Sequence, residues 1–466
     1  MAHGVTASAP FSGQSPLDRG REQLPPLVVL YFIVLALVLL LTHGHFTTGG
    51  LLITTLAFLA YLASPWRAGR KPDRPWLTLE TVFCVLWLAF SAALMIRNGL
   101  MYPQMNLWFV LLRTALTLNF VCAAATAVLL FSSGKMPRAA RILLPAALVL
   151  VASCFVLTLK ASPAPHIDVF TICSKAVDLL RAGHNPYDFL YADIYGGKYT
   201  YHPRLMYWPV VTYMITLGKL LAGDVRFGYV LAQFAAAAGL CLLGRRRGWS
   251  LEKTFLAVLV WFTFPVSFFV LEQSWVEGLL MPALVFFVYF TERRQWAAAA
   301  VMAGLACATK QYMIFFAVFS FVYVWRKAGR GKAFGYAGIA SLTTMATMVP
   351  FLVWNWRVLL DRTVFEILRY DIRTESLSWI AFSINRLRVP FNASLSLALT
   401  VLLSVPALAV ILRRGEVRPA DLMFTQASVF SAVFLFGNQA LCNYYYFLSF
   451  LVFLHLVLVD GTGSEA

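Results

Sequence analysis

Long apolar runs alternate with short basic loops along nearly the whole chain. Crossing the ~30 Å hydrocarbon core of a bilayer takes about 20 apolar residues in a helix, fewer where protein covers part of it. By that measure the pattern predicts fourteen spans, at 26–42, 47–64, 76–96, 105–132, 141–160, 226–243, 252–271, 276–291, 295–309, 311–325, 333–355, 393–412, 421–437 and 441–459. The expected fold class is an all-α polytopic membrane protein. The stretch 204–221 is also apolar, but it starts beside Pro203, contains Pro209 and ends at Gly223-Asp224. Counting it as a span would put Arg245, Arg246 and Arg247 outside, opposite the basic loops that precede it, so it is read as a juxtamembrane helix lying on the membrane face.

Charge then orients the chain. Arg67, Arg70, Lys71 and Arg74, then Lys135, Arg138 and Arg141, then Arg245–Arg247 and Lys253 fall on one side. Arg293-Arg294, Arg326-Lys327 with Arg330 and Lys332, and Arg413-Arg414 with Arg418 fall there too. Basic loops stay cytoplasmic, so both termini are expected inside. Two large loops, 161–225 and 356–392, are expected outside. The chain is divided into a polar tail 1–25, additional N-terminal helices 26–140, a main unit 141–459 and a tail 460–466.

Composition agrees with that class: 60% of residues are hydrophobic and 13% charged, with mean hydropathy +0.73. The net charge of +17 does not form a Lys/Arg stripe on a soluble domain, so no nucleic acid is expected as a partner. Seven cysteines stand singly with no C-x-x-C spacing, which indicates neither a zinc ribbon nor a disulfide framework. The polar N-terminus carries no small-residue cleavage signature before a short apolar core, so no cleaved signal peptide is read.

Candidate chemistry concentrates in His166–Arg204. Asp168 follows a proline-broken exit, Ser162-Pro163-Ala164-Pro165, and precedes a run in which Phe170, Cys173, Val177 and Leu180 share a helical face. Asp there is either a helix N-cap or a general base; a cap would fix the carboxylate for the second role, so the two are compatible. His184-Asn185-Pro186-Tyr187-Asp188 reads as a helix stop and proline turn. His166, His184 and His202 are too widely spaced to form a metal motif, and no metal is required. Lys310 lies between two short apolar runs at their outer end, where it either snorkels to headgroups or serves a site. Arg373 and Arg204 are further loop cations. Glu272, Gln273 and Glu277 flank Trp275 at an outer helix end, and Asn443 precedes Tyr444–Tyr446.

The order of these motifs resembles the GT-C glycosyltransferases, most closely the family 87 polyprenyl-phosphate-mannose-dependent mannosyltransferases. The resemblance rests on an acidic residue after a span, a helix ending in Gly183-His184-Asn185-Pro186-Tyr187-Asp188, the lead Tyr201-His202-Pro203, then Glu272-Gln273, Ala308-Thr309-Lys310-Gln311, Asn438-Gln439 and Asn443-Tyr444-Tyr445. It covers roughly 141–459. Five spans precede Asp168 where one is usual, and His202 stands where the family has proline. The resemblance implies transfer of a hexose, possibly mannose, from a polyprenyl-phosphate sugar to a glycan or glycolipid acceptor on the outer face of a bacterial inner membrane. By this match Asp168 is the catalytic base. A departing phosphate needs cations, for which Lys310, Arg373 and Arg204 are the candidates. His202, Tyr201, Glu272, Gln273, Glu277 and Asn443 are candidates for holding sugar or acceptor; no cofactor is implied. The competing readings are a transporter or flippase of lipid-linked sugars, which predicts charges near the midplane and broken helices, and a non-catalytic membrane scaffold.

Overall fold

The computed structural model describes residues 26–67, 78–133, 136, 138–198, 203–368, 372–389 and 393–459. Among them no strand forms, only an isolated bridge between His45 and Ser376. The helices begin with α1 (Pro26–Thr42), α2 (Thr48–Leu62), α3 (Leu79–Arg97), α4 (Leu107–Ser133) and α5 (Ala140–Ala161). There follow α6 (Asp168–Arg181), α7 (Pro209–Ala222), α8 (Phe227–Arg246), α9 (Leu251–Phe262), α10 (Ser267–Glu272), α11 (Leu280–Glu292), α12 (Trp296–Cys307) and α13 (Met313–Ala328). The chain ends with α14 (Arg330–Leu360), the short α15 (Glu366–Leu368) and α16 (Trp379–Phe382), then α17 (Ala393–Arg413), α18 (Pro419–Leu435) and α19 (Cys442–Val459). Local signals start and stop them. Thr47, Thr78 and Ser250 accept hydrogen bonds from Gly50, Thr81 and Lys253 backbone N–H groups, and Asn98 and Gly223 close α3 and α7 in left-handed conformations.

Seven helices are long and apolar enough to cross a membrane: α3, α4, α5, α8, α14 with its extension to Phe365, α17 and α19. This is an integral membrane protein by that measure. Their burial differs sharply. In α19, 89% of the apolar window is buried inside the protein, against 17% in α14 and in α17. Thus α19 is the central post, and α14 and α17 present Leu342, Val353 and Leu402 outward, as lipid-facing helices do.

Hydrogen bonds divide the loops into two groups. At one end Arg141 pairs with Glu252 at 3.1 Å, Arg247 with Glu292 at 2.5 Å, and Lys327 with Glu416 at 3.0 Å. Arg326 reaches the Arg414 carbonyl there, and Arg247 the Leu458 carbonyl. The basic loops around Arg141, Arg247, Glu292, Lys327 and Arg414 therefore share an end, as charge counting anticipated; the basic loop that starts at Arg67 lies almost wholly outside the described residues. At the other end Phe46 N–H donates to Glu375 O, Gln104 N–H to Ala161 O, Arg373 N–H to Asn438 O and Leu377 N–H to Ala440 O.

Both ends of α7 belong to this second group: Val210 N–H donates to Ala308 O, and Arg226 reaches Ser162 O. The helix leaves and returns to one end of the bundle, and its 14 residues rise only ~21 Å. It lies tight against α8 because Gly218 and Gly228 face each other; a Cβ on Gly228 would strike the Met214 carbonyl, which is backbone and cannot move aside cheaply. Gly228→Ala is expected to cost about 1–3 kcal/mol, read as a lower thermal unfolding midpoint in detergent.

Three features depart from the sequence expectations. The predicted span 252–271 breaks at Phe264-Pro265 into α9 and α10, where proline cannot continue the helical ladder. The predicted end of a span at 355 is not a helix end. Asn355 leaves helical geometry, and its side chain accepts from Val358 N–H, restarting α14 as an internal cap. At 31 residues, or ~46 Å, α14 outreaches the hydrocarbon core. Its far turns, through Phe351 and Leu359, build a small second core with Ile172, Leu179, Tyr187, Tyr191 and Leu205. Last, the N-terminal helices are no appendage. Tyr31 bonds Ser431 and Tyr61 bonds His455 of α19, both at 2.8 Å, so 26–140 and the later helices share one core.

Candidate functional site

Arg226 ties the start of α6 to the end of α5. The fully buried Arg226 guanidinium pairs with Asp224 at 2.6 Å and donates to the carbonyls of Ser162 at 2.8 Å and Leu159 at 3.3 Å. Those carbonyls are orphaned at a helix C-terminus, and a fork-shaped cation suits them. The same guanidinium lies over Phe170, 4.8 Å from the ring centroid, which pins the first turn of α6. Sequence reasoning missed Arg226, because the carbonyls it holds come from 60 or more positions away.

The expected N-cap is displaced by one. Ile167 occupies the cap position with no side-chain bond, and Asp168 is the first helical residue. Its Oδ1 accepts from the Val169 N–H at 2.8 Å, and its own N–H donates to the Tyr195 hydroxyl at 3.3 Å. Asp193 in turn accepts from the N–H groups of Tyr195 and Gly197, which fixes that hydroxyl's position. A carboxylate in a first helical turn is stabilised by the helix dipole. It is half-buried, neither sealed off nor open to bulk solvent.

The proline turn after α6 does more than stop a helix. Asn185 accepts from Tyr187 N–H and starts a 3-10 turn, Pro186–Asp188, that buries Tyr187. The Tyr187 hydroxyl donates to the Tyr207 carbonyl at 2.9 Å and also meets Thr212. Tyr207 thereby links the loop to the bundle. Burial pushes its phenol well above the ordinary tyrosine range, with Cys173, Glu277, Asp168 and Tyr444 adding in the same direction. Burial also pushes the Cys173 thiol up to about 12, which makes it an inert packing group.

Glu277 and Lys310 form the centre of the cluster. Lys310 Nζ lies 2.5 Å from Glu277 Oε1, with the two side chains 9% and 0% exposed. Three phenol rings enclose the ammonium: Tyr444 at 4.9 Å, Tyr207 at 5.3 Å and Tyr312 at 5.5 Å. Glu277 Oε2 is buried and has no hydrogen-bond partner among the described residues. Glu277 stands on a 3-10 turn, Val276–Leu279, after the break between α10 and α11. Within that break Ser274 adopts φ +57, a left-handed conformation that a buried non-glycine residue takes only under constraint. Its carbonyl accepts from the Tyr229 hydroxyl at 2.8 Å, while its own Oγ has no partner.

Lys310 stands at the turn between two short arms. α12 has 12 residues and rises ~18 Å; α13 has 16 and rises ~24 Å. A hairpin of those arms entering from the basic end turns before it traverses a ~30 Å core. The 203–210 segment dips to meet it. Gln311 Nε2 donates to the Met206 and Thr363 carbonyls, each at 2.8 Å, stapling that segment to the extension of α14.

The other predicted residues divide. Glu272 does not point into the cluster as a sugar ligand. Its two oxygens accept from Met101 and Tyr102 N–H at 2.7 and 2.9 Å, and Gln273 Nε2 donates to it at 3.1 Å, so it clamps the α3–α4 loop. Arg204 pairs with Glu366 at 3.3 Å, sharing it with Arg362, and Arg373 bonds Glu375 at 2.7 Å. Asn443 is buried in the first turn of α19 beside Tyr444. Tyr201 and His202 lie outside the described residues. Among the described residues no group of three or more His, Cys, Asp and Glu side chains is placed to hold a metal ion.

Sequence reasoning also missed Tyr207 and Tyr312. Only the neighbourhood of Lys310 in Lys310-Gln311-Tyr312 hinted at the second. No protein-family model, curated protein or solved structure matches the chain.

Proposed function

We propose that this protein is a membrane glycosyltransferase that moves a hexose from a polyprenyl phosphate to an acceptor hydroxyl. In this reading the basic loops face the cytoplasm and the loop of α6 and α7 lies outside. One observation carries the proposal: the buried Lys310 ammonium lies over Tyr207, whose carbonyl accepts from Tyr187 in the turn that follows α6, the helix that starts at the half-buried carboxylate of Asp168. Asp168 takes the proton from the acceptor hydroxyl as its oxygen attacks the anomeric carbon. The bond from that carbon to the phosphate oxygen breaks, and the lipid phosphate departs with the electron pair, inverting the centre. Among the described residues only Glu277 accepts a hydrogen bond from Lys310, leaving the remaining N–H donors for ligand oxygens. Glu277 Oε2 is an acceptor without a partner, suited to a sugar hydroxyl. Arg204 and Arg373 are not needed for that contact.

The test is the purified protein given a panel of polyprenyl-phosphate hexoses and a lipid-linked glycan acceptor, with products read by mass spectrometry. Transfer from at least one donor is expected. Intact donors throughout the panel, with folded protein, sink the reading.

A second reading has an observation of its own. A buried charge pair beside a broken helix, with Ser274 in a left-handed conformation, is how many transporters build substrate sites. It favours movement of a lipid-linked sugar across the membrane without bond breaking.

A further inference from the structure

The basic end of the bundle holds a cavity of about 340 Å³ lined by Leu242, Arg245, Arg246, Tyr289 and Arg293. We propose that this cavity binds the phosphodiester headgroup of an anionic phospholipid. The inference does not depend on the proposed enzymatic activity, whose residues lie at the other end.

Three guanidiniums line the cavity and no carboxylate does. The acid beside it, Glu292, is taken by Arg247 at 2.5 Å, and Arg247 also donates to the Leu458 carbonyl. Arg245, Arg246 and Arg293 have no ion pair among the described residues, in contrast to Arg141, Arg247, Lys327 and Arg414 around them. Three like charges converging on one concavity repel each other, and an anion bound between them removes that cost. Guanidinium forks match phosphate oxygens in pairs.

A topology signal alone explains basic residues at this end, but not their shared cavity. Arg245 and Arg246 close the last turn of α8, and Arg293 follows directly on α11, so two packed helices bring the cations together. Arg293 is itself oriented: it donates to the Tyr289 hydroxyl at 2.8 Å and lies over that ring, 5.4 Å from its centroid.

The wall decides between a lipid and a free phosphate ion. One turn before the arginines, Leu242 exposes its apolar side chain to the same cavity. A surface that passes from guanidinium to exposed leucine along a helix long enough to cross a bilayer suits a molecule with a charged head and an acyl tail. Basic pockets between transmembrane helices take anionic headgroups for this reason.

The experiment is native mass spectrometry of the full-length protein in detergent with phosphatidylglycerol, phosphatidylcholine or inorganic phosphate. The variants are a triple Arg245→Gln, Arg246→Gln, Arg293→Gln and a charge-matched triple at exposed sites outside the cavity, Arg138→Gln, Arg330→Gln, Arg413→Gln. Wild type and the control triple should retain phosphatidylglycerol at least about tenfold more tightly than the cavity triple. Phosphatidylcholine should bind each of them weakly. Equal retention by the cavity triple overturns the proposal, as does equal loss in both triples, which reduces the effect to bulk charge. Displacement of the lipid by equimolar inorganic phosphate overturns the lipid assignment. Because all six side chains face solvent, size-exclusion profiles should match wild type, and a collapsed profile in the cavity triple alone would make these arginines structural and contradict the proposal.

Discussion

Asp168→Asn is expected to lower the rate of sugar transfer by a factor of about 10²–10⁴, the usual share of a positioned general base. The substitution is nearly isosteric and keeps an oxygen that accepts from Val169 N–H, while the bond to Tyr195 uses the Asp168 backbone. The helix start should therefore survive, and the unfolding midpoint should stay at the wild-type value. Donor affinity should be retained, because the ring-enclosed lysine is not touched. Turnover like wild type in the Asn variant would remove Asp168 from the chemistry, whatever the rest of the site does.

The second large effect concerns stability. Glu277→Gln leaves the Lys310 ammonium buried among Tyr207, Tyr312 and Tyr444 without its counter-charge, and Lys310→Met leaves the carboxylate in the same position. Removing one partner of a buried pair costs about 3–5 kcal/mol. The double variant exchanges the pair for two neutral groups of similar shape and should recover most of that loss. Unfolding of the single and double variants in detergent measures the coupling directly. Strictly additive losses would show that the two charges do not depend on each other. Glu277 Oε2 sharpens the prediction, since a carboxylate oxygen buried without a partner already costs stability in the resting protein.

Much of this architecture is legible in the sequence because hydrophobic runs and basic loops are local signals. The shared end of the basic loops and the return of α7 to its starting side both follow from counting charges and prolines. The breaks do not. Pro265 was in plain view, but apolar residues on both sides carry a hydropathy window across it. Asn355 could not be read as an internal cap, because its effect depends on the turn that follows. The site was half legible. Asp168, Lys310 and Glu277 were singled out, but Glu277 and Glu272 looked alike at an outer helix end. Only tertiary contact separates them: one meets Lys310, the other two backbone N–H groups from the α3–α4 loop. Arg226 and Tyr207 were invisible for the same reason, since neither belongs to a motif and each acts on distant carbonyls or charges.

On the proposed mechanism this protein breaks a sugar–phosphate bond and makes a glycosidic one rather than carrying a lipid between leaflets. Detergent micelles separate the two, because they have no second leaflet. Purified protein in micelles should convert a polyprenyl-phosphate hexose and acceptor into glycosylated acceptor and free polyprenyl phosphate. Asp168→Asn should abolish that conversion. No transfer in micelles from any donor, together with leaflet-to-leaflet movement of the same donors in reconstituted vesicles, would contradict the claim.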